Sequence, residues 1–245
     1  MTRQLPAWGA LITLAACTHH PDPGAGVPEV PLTPSPTSAP APRPITATLP
    51  AGLVQEDADD AFIGPRSAPM AVLEWSDIQC PYCGPSYGLL AAYVKEHEDV
   101  RLVLKHYPIS GQCNPNVDGE RHEHACAAAR AVICANQQGR FDALAGLLFA
   151  NQATLADPDI DAFARQADVY NPRFTACLQD PATAAIILRD VKEAEAANVQ
   201  GTPTIFVHGV WGPRWVQVHG GASAVMAVLD AARAHEPLPV LSYQE

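Results

Sequence analysis

Trp75-Ser76-Asp77-Ile78-Gln79-Cys80-Pro81-Tyr82-Cys83 is the stretch that decides the reading of this chain. It closes the apolar run Met70–Trp75, interrupted only by Glu74, which has the pattern of a strand buried on both faces. It opens a segment with helical spacing, Cys80 to about Glu98, with Leu89, Leu90 and Val94 on its apolar stripe and a bend expected near Pro85. A strand feeding a helix puts Cys80 at the helix N-terminus, where unpaired N–H groups and the helix dipole favour an anion. That setting stabilises a thiolate, the attacking species in disulfide exchange, and makes Cys80 the more exposed, lower-pKa sulfur. Cys83 follows one turn later, within bonding distance. A structural zinc ribbon would need a second close cysteine pair, and the sequence has no other Cys-x-x-Cys.

Outward from this stretch the pattern is mixed α/β. A second strand is expected over Val100–Tyr107. A long helical region follows from about Glu120 to Asn198, broken near Gly139, Asp157-Pro158, Asn171-Pro172 and Asp180-Pro181. Its last segment carries Ile187, Leu188, Val191, Ala194 and Asn198 at helical spacing and stops before Gly201. Strands return at Thr204–His208 and Trp215–His219, and a helix from about Ala222 to Ala234 closes the pattern.

The 245 residues leave room for one good-sized domain with appendages. With 26 acidic against 15 basic residues, the net charge of −11 argues against a nucleic-acid partner. Seven cysteines, at positions 17, 80, 83, 113, 126, 134 and 177, point to an oxidising, extracytoplasmic compartment. Residues 1–17 read as an export signal, with Arg3 ahead of an apolar stretch from Ala7 to Ala16 that is too short to span a bilayer. Leu14-Ala15-Ala16-Cys17 resembles the lipobox of bacterial lipoproteins, which makes Cys17 the expected lipidation site and membrane anchor. Residues 18–50 hold ten of the 24 prolines and read as a semi-extended tether reaching at most about 100 Å. The folded domain is then expected over 51–240, with its helical insertion at about 112–198.

Taken together and in order, four motifs carry a resemblance. They are the Trp75–Cys83 stretch, His106-Tyr107-Pro108-Ile109, Gln138-Gly139-Arg140-Phe141, and Val199-Gln200-Gly201-Thr202-Pro203-Thr204. From roughly Ile63 to Ala234 the chain resembles the DsbA-like thiol:disulfide oxidoreductases, which implies an α/β thioredoxin-like fold with an inserted α-helical subdomain. The resemblance makes Cys80 the nucleophile and Cys83 the resolving thiol. Pro81 and Tyr82 then tune the redox potential and meet the substrate. Potentials in this superfamily span roughly −270 to −120 mV. No Lys, Arg or His lies within three residues of the motif, so the thiolate must be stabilised by local backbone and thiol donors or by distant sequence. Asp77 is expected to oppose it slightly.

Pro203 resembles the family's cis-proline, which would hold the Thr202 backbone beside the cysteines to pair with a substrate strand; a trans proline starting a strand is the plainer alternative. Glu74 stands where the family often places a buried acid, able to take a proton from Cys83 through water. Val72, Leu73 and Trp75 argue for its burial, against a strand-edge carboxylate facing solvent.

Cys126 and Cys134 lie about 12 Å apart on one expected helix and cannot bridge. Two connectivities remain: 113–126 with 134–177, or 113–134 with 126–177. The resemblance favours the first, because a bridge placed like Cys134–Cys177 occurs in some DsbA-like insertions. A metal site from Cys113, His122 and Cys126 is the local alternative, which an oxidising compartment disfavours. No cofactor or metal is expected.

The resemblance implies a periplasmic, lipid-anchored monomer that oxidises exported proteins and is itself reoxidised by a membrane redox partner. Reduction of disulfides is the alternative direction. A Cu(I) carrier using the same two thiols is a further alternative, weakened by the presence of only three methionines.

Overall fold

The computed structural model describes residues 45–244. Strands β1 (Ile45–Thr48) and β2 (Ala61–Ile63) precede β3 (Met70–Ser76), helix α1 (Cys83–Glu96) and β4 (Val100–His106). Five helices fill the span before the next strand: α2 (Ala125–Asn136), α3 (Phe141–Ala150), α4 (Asp157–Gln166), α5 (Pro172–Gln179) and α6 (Pro181–Ala196). Then come β5 (Thr204–His208), β6 (Trp215–Val218), α7 (Gly221–Arg233) and β7 (Val240–Gln244). The strands form one mixed sheet in the order β2-β4-β3-β5-β6-β1-β7.

β3 runs parallel to β4 and antiparallel to β5, and all seven of its residues are buried. Its side chains alternate between two apolar layers. Val72 packs in the layer of Leu90 and Val94 from α1 and Val225 and Val228 from α7. Leu73 and Trp75 pack in the layer of Ile187 and Val191 from α6. Glu74, in register with Leu104 and Ile205, therefore shares the face of Val72 and lies beneath α1. Each large side chain buried in these layers contributes about 1.5–3 kcal/mol, which fixes the strand that carries the cysteines.

The breaks read from the sequence are helix starts. Asn171 accepts the Arg173 and Phe174 N–H groups, each at 3.0 Å, and Pro172 opens α5. Asp180 accepts the Ala182 N–H at 2.9 Å, and Pro181 opens α6. A proline costs nothing there, because first-turn N–H groups have no helical partner. Gly139 supplies the positive φ, 68°, of the turn between α2 and α3.

Several expectations are corrected. The tether does not run to residue 50, because Ile45–Thr48 pairs with β6 and β7 as strand β1. Helix α1 begins at Cys83 rather than Cys80, so Pro85 sits in its first turn and not at a mid-helix bend. Leu89 and Leu188, placed on apolar stripes from spacing alone, are exposed. The export signal, Cys17 and the tether as far as residue 44 lie outside the described residues. No helix among those described is long and apolar enough to cross a membrane.

Lys105, on β4, is fully buried, and its ammonium gathers four carboxylates: Asp57 and Glu193 at 2.6 Å, Asp60 at 3.2 Å and Asp190 at 3.8 Å. Arg189 reaches Asp60 and Asp190 at 2.9 Å from the outer side. Burial works against the Lys105 charge, but Asp190, Asp60, Asp57 and Glu193 together outweigh it and raise the pKa. Asp57, Asp60 and Asp190 cluster closely enough to hold a metal ion, yet the lysine already supplies their cation.

Candidate active site

The turn between β3 and α1 presents both cysteines as free thiols. The Cys80 N–H bonds the Asp77 carbonyl at 3.1 Å, and the Cys83 N–H bonds the Cys80 carbonyl at 3.0 Å. Pro81 and Tyr82 project outward, Tyr82 with 74% of its surface exposed. Cys80 is 5% exposed and Cys83 not at all. The order of accessibility is the expected one, but Cys80 is not openly presented to solvent. Two neighbours enclose it: the Thr202 carbonyl, 3.3 Å from its sulfur, and the Gln152 side chain, whose Nε2 donates to the Cys80 carbonyl. A Cβ at residue 84 would meet the end of the Gln152 side chain, which would then have to shift.

The Thr202–Pro203 peptide bond is cis. Glu74, Cys80, Pro81, Tyr82, Cys83, Thr202 and Pro203 thus come together although 122 residues separate Cys80 from Thr202.

The two thiols differ sharply. Cys80 is lowered to about 5, first by the Cys83 thiol donating to it, and despite its burial. The Thr202 side chain and the Tyr82 and Cys83 N–H groups add to this. Cys83 is pushed far up, by burial first, then by its bond to Cys80 and the nearby Glu74 charge. Glu74, itself fully buried, is raised by that burial to about 7. Its Oε2 accepts the Ser86 hydroxyl at 2.7 Å, while Oε1 has no hydrogen-bond partner. The Ser76 hydroxyl lies near both Glu74 and Cys83 without completing a hydrogen bond. An ionisable sulfur, a protonated partner one turn away and a half-satisfied carboxyl beneath them can run disulfide exchange with proton transfer.

Beside the cysteines an open groove of about 580 Å³ lies between α1 and α3, lined by Gln79, Pro81, Pro85, Phe149 and Gln152 among others. The remaining cysteines form the bridges Cys113–Cys126 and Cys134–Cys177, with Cα separations of 6.0 and 5.7 Å. The alternative metal site is therefore absent: its two thiols are bonded to each other, and His122 Nδ1 instead meets Asp77 Oδ2 at 2.7 Å. Gln152 escaped the sequence reading, and Asp77 was read without its partner. Gln152 left no signal, being a lone amide in a polar stretch, and Asp77 stood next to the motif with its partner 45 residues away.

A family model described as Thioredoxin matches residues 56–211. Among curated proteins, the Na(+)/H(+) antiporter NhaA 3 of Salinispora tropica is 34% identical over 182 residues, 74% of this chain and 26% of the antiporter. NhaA of Herminiimonas arsenicoxydans is 32% identical over 177 residues, covering 71% and 26%. The chain thus spans about a quarter of the length of these relatives. Among solved structures, a thioredoxin-like oxidoreductase from Silicibacter pomeroyi superposes with a TM-score of 0.57 at 23% identity, over 73% of this chain and 94% of that one. The thiol-disulfide exchange protein alpha-DsbA2 of Wolbachia pipientis superposes with a TM-score of 0.59 at 12% identity, over 74% and 89%. With its thiols at the head of α1, its cis-proline and five helices inserted before β5, the chain belongs to the thioredoxin family and has the DsbA-like form of the fold.

Proposed function

We propose that the protein is an extracytoplasmic thiol:disulfide oxidoreductase that oxidises exported proteins through a Cys80–Cys83 disulfide. The observation that carries this reading is the geometry of two free thiols one turn apart, with Cys83 fully buried and the Cys80 sulfur 3.3 Å from the Thr202 carbonyl.

In the first step a substrate thiolate attacks the Cys80 sulfur of the disulfide, forming a substrate–Cys80 bond and expelling Cys83 as a thiolate. Cys83 takes up a proton, for which Glu74 beneath it is the relay. A second substrate thiolate then attacks the substrate sulfur of the mixed disulfide. Cys80 departs as a thiolate, a good leaving group because its pKa is low. The substrate loses two electrons and the Cys80–Cys83 pair gains them. The Thr202 carbonyl, beside the reacting sulfur, is placed to accept an N–H from the substrate chain. A membrane redox partner withdraws the two electrons and restores the disulfide, and a lipid on Cys17 keeps the protein within its reach. Ion exchange is no part of this reading, since the match covers only 26% of the antiporter.

The test is equilibration with glutathione. A low-pKa Cys80 stabilises the dithiol form, so the potential should lie well above thioredoxin's value of about −270 mV. A potential at that value would reverse the assignment to disulfide reduction. Separately, a Cys17→Ala chain should leave the membrane fraction, and one that stays there would remove the lipid anchor.

A further inference from the structure

Asp77 is 2% exposed, yet its carboxylate is met by donors from three parts of the chain. Oδ1 accepts the Gln79 N–H at 2.7 Å and so shapes the turn that leads into Cys80. Oδ2 accepts the Ile109 N–H at 2.7 Å and meets His122 Nδ1 at the same distance. The turn is held a second time, because Gln79 Oε1 accepts the His124 backbone N–H at 2.6 Å.

Both histidines belong to the loop closed by the Cys113–Cys126 disulfide. The His122 N–H also donates to the Ile109 carbonyl at 3.1 Å, so the loop is fastened at backbone and side chain alike. A disulfide-clipped loop is therefore bolted to the turn that carries the nucleophile.

The ring at the end of this arrangement lies where its surroundings favour the charged form. The hydrogen bond that the ring donates to Asp77 raises the His122 pKa against a smaller effect of burial, the Asp77 charge adds to it, and the Cys80 sulfur is close enough to add more. The Cys83 thiol and Glu74 act on Cys80 directly, while the Asp77–His122 pair and His124, whose ring meets Asp157, flank the turn that leads into it. Asp77 spreads its charge over two backbone N–H groups as well as the ring. No other cation lies within three residues of the motif in sequence.

The geometry points to His122 as a positioning residue of the thiol site: gripped by Asp77 and delivered by the Cys113–Cys126 loop, its ring supplies the positive charge that Cys-Pro-Tyr-Cys lacks and stabilises the Cys80 thiolate. This deepens the exchange reading given above and rests on it.

The experiment is the rate of iodoacetamide modification at Cys80 as a function of pH, read by peptide mapping on the full chain with both structural disulfides intact. In the His122→Gln chain the midpoint should rise by about half a pH unit or more, leaving roughly a third of the thiolate or less on the rising limb. His122→Lys, which keeps a cation against Asp77, should return the midpoint toward that of the parent. An unchanged midpoint in a His122→Gln chain with a native circular dichroism spectrum would overturn the proposal. Equal displacement by Gln and Lys would overturn it too, since the ring would then merely pack the loop. The readout does not depend on substrate: a parent chain with a low midpoint that forms no mixed disulfide would remove the exchange reading alone.

Discussion

The carbonyl oxygen of Thr202 and the sulfur of Cys80 are 3.3 Å apart, and in the thiol form Cys80 donates to that carbonyl. Ionisation removes the donor and frees the acceptor for an incoming chain, while the Thr202 side chain helps to hold the charge that remains. Thr202→Val keeps the backbone and removes the hydroxyl. It should raise the Cys80 midpoint and slow alkylation near pH 5 about threefold. A pH–rate profile of Cys80 modification checks this, and an unshifted profile would deny the hydroxyl its role.

The low pKa of Cys80 also makes the two redox forms respond differently to pH. The folded dithiol binds fewer protons at Cys80 than the unfolded chain between about 5 and the ordinary value of 9.0. Its stability therefore rises with pH through that window and is lost as pH falls through about 5. The disulfide form has no such group. Relative to the disulfide form, the dithiol form should gain at least about 4 °C in melting temperature between pH 4.5 and pH 8. A gap independent of pH would mean that the folded protein does not favour the thiolate.

Glu74 carries the opposite sign. Its pKa is raised from 4.5 to about 7, so the folded state binds the extra proton and stability falls as pH climbs through that window. Above pH 7 the buried charge costs on the order of 3 kcal/mol. Glu74→Gln should thus be more stable than the parent at pH 8 by part of that amount, with little difference at pH 4. It should also slow formation of the mixed disulfide, the step in which Cys83 leaves and takes up a proton, by about tenfold or more. Thermal melts at the two pH values test the first effect and quenched-flow trapping the second. A Gln variant that forms adducts at the parental rate would remove Glu74 from the proton path.

How much of this was legible in the sequence depended on how local each signal is. The run from Met70 to Cys83 places strand, turn and helix within 14 residues, and its apolar pattern alone puts Glu74 in the interior. Asn171-Pro172 and Asp180-Pro181 likewise announce helix starts through side chains that cap their own backbone. The missed elements are short and owe their form to distant partners. Ile45–Thr48 looks like more of the proline-rich tether until β6 and β7 flank it, and Ala61–Ile63 is a strand only against β4. Asp77 looked like a charge opposing the thiolate because nothing nearby in sequence balances it. The fold brings His122 to it across 45 residues.

Lys105 is another residue whose meaning is tertiary, a fully buried cation in a largely apolar strand. Lys105→Met would leave Asp57, Asp60, Asp190 and Glu193 facing one another with only Arg189 between them. The variant should lose about 3–5 kcal/mol in urea unfolding at pH 7 and recover part of this at pH 5, as the carboxylates protonate. A loss under about 1 kcal/mol would show that the cluster contributes little.

The most direct test of the account is trapping in cells with the Cys83→Ala chain. Exported proteins should accumulate on it as disulfide-linked adducts through Cys80, which collapse on reduction and are missing from the Cys80→Ala chain. A folded, exported Cys83→Ala protein that collects no Cys80-linked adducts would contradict it.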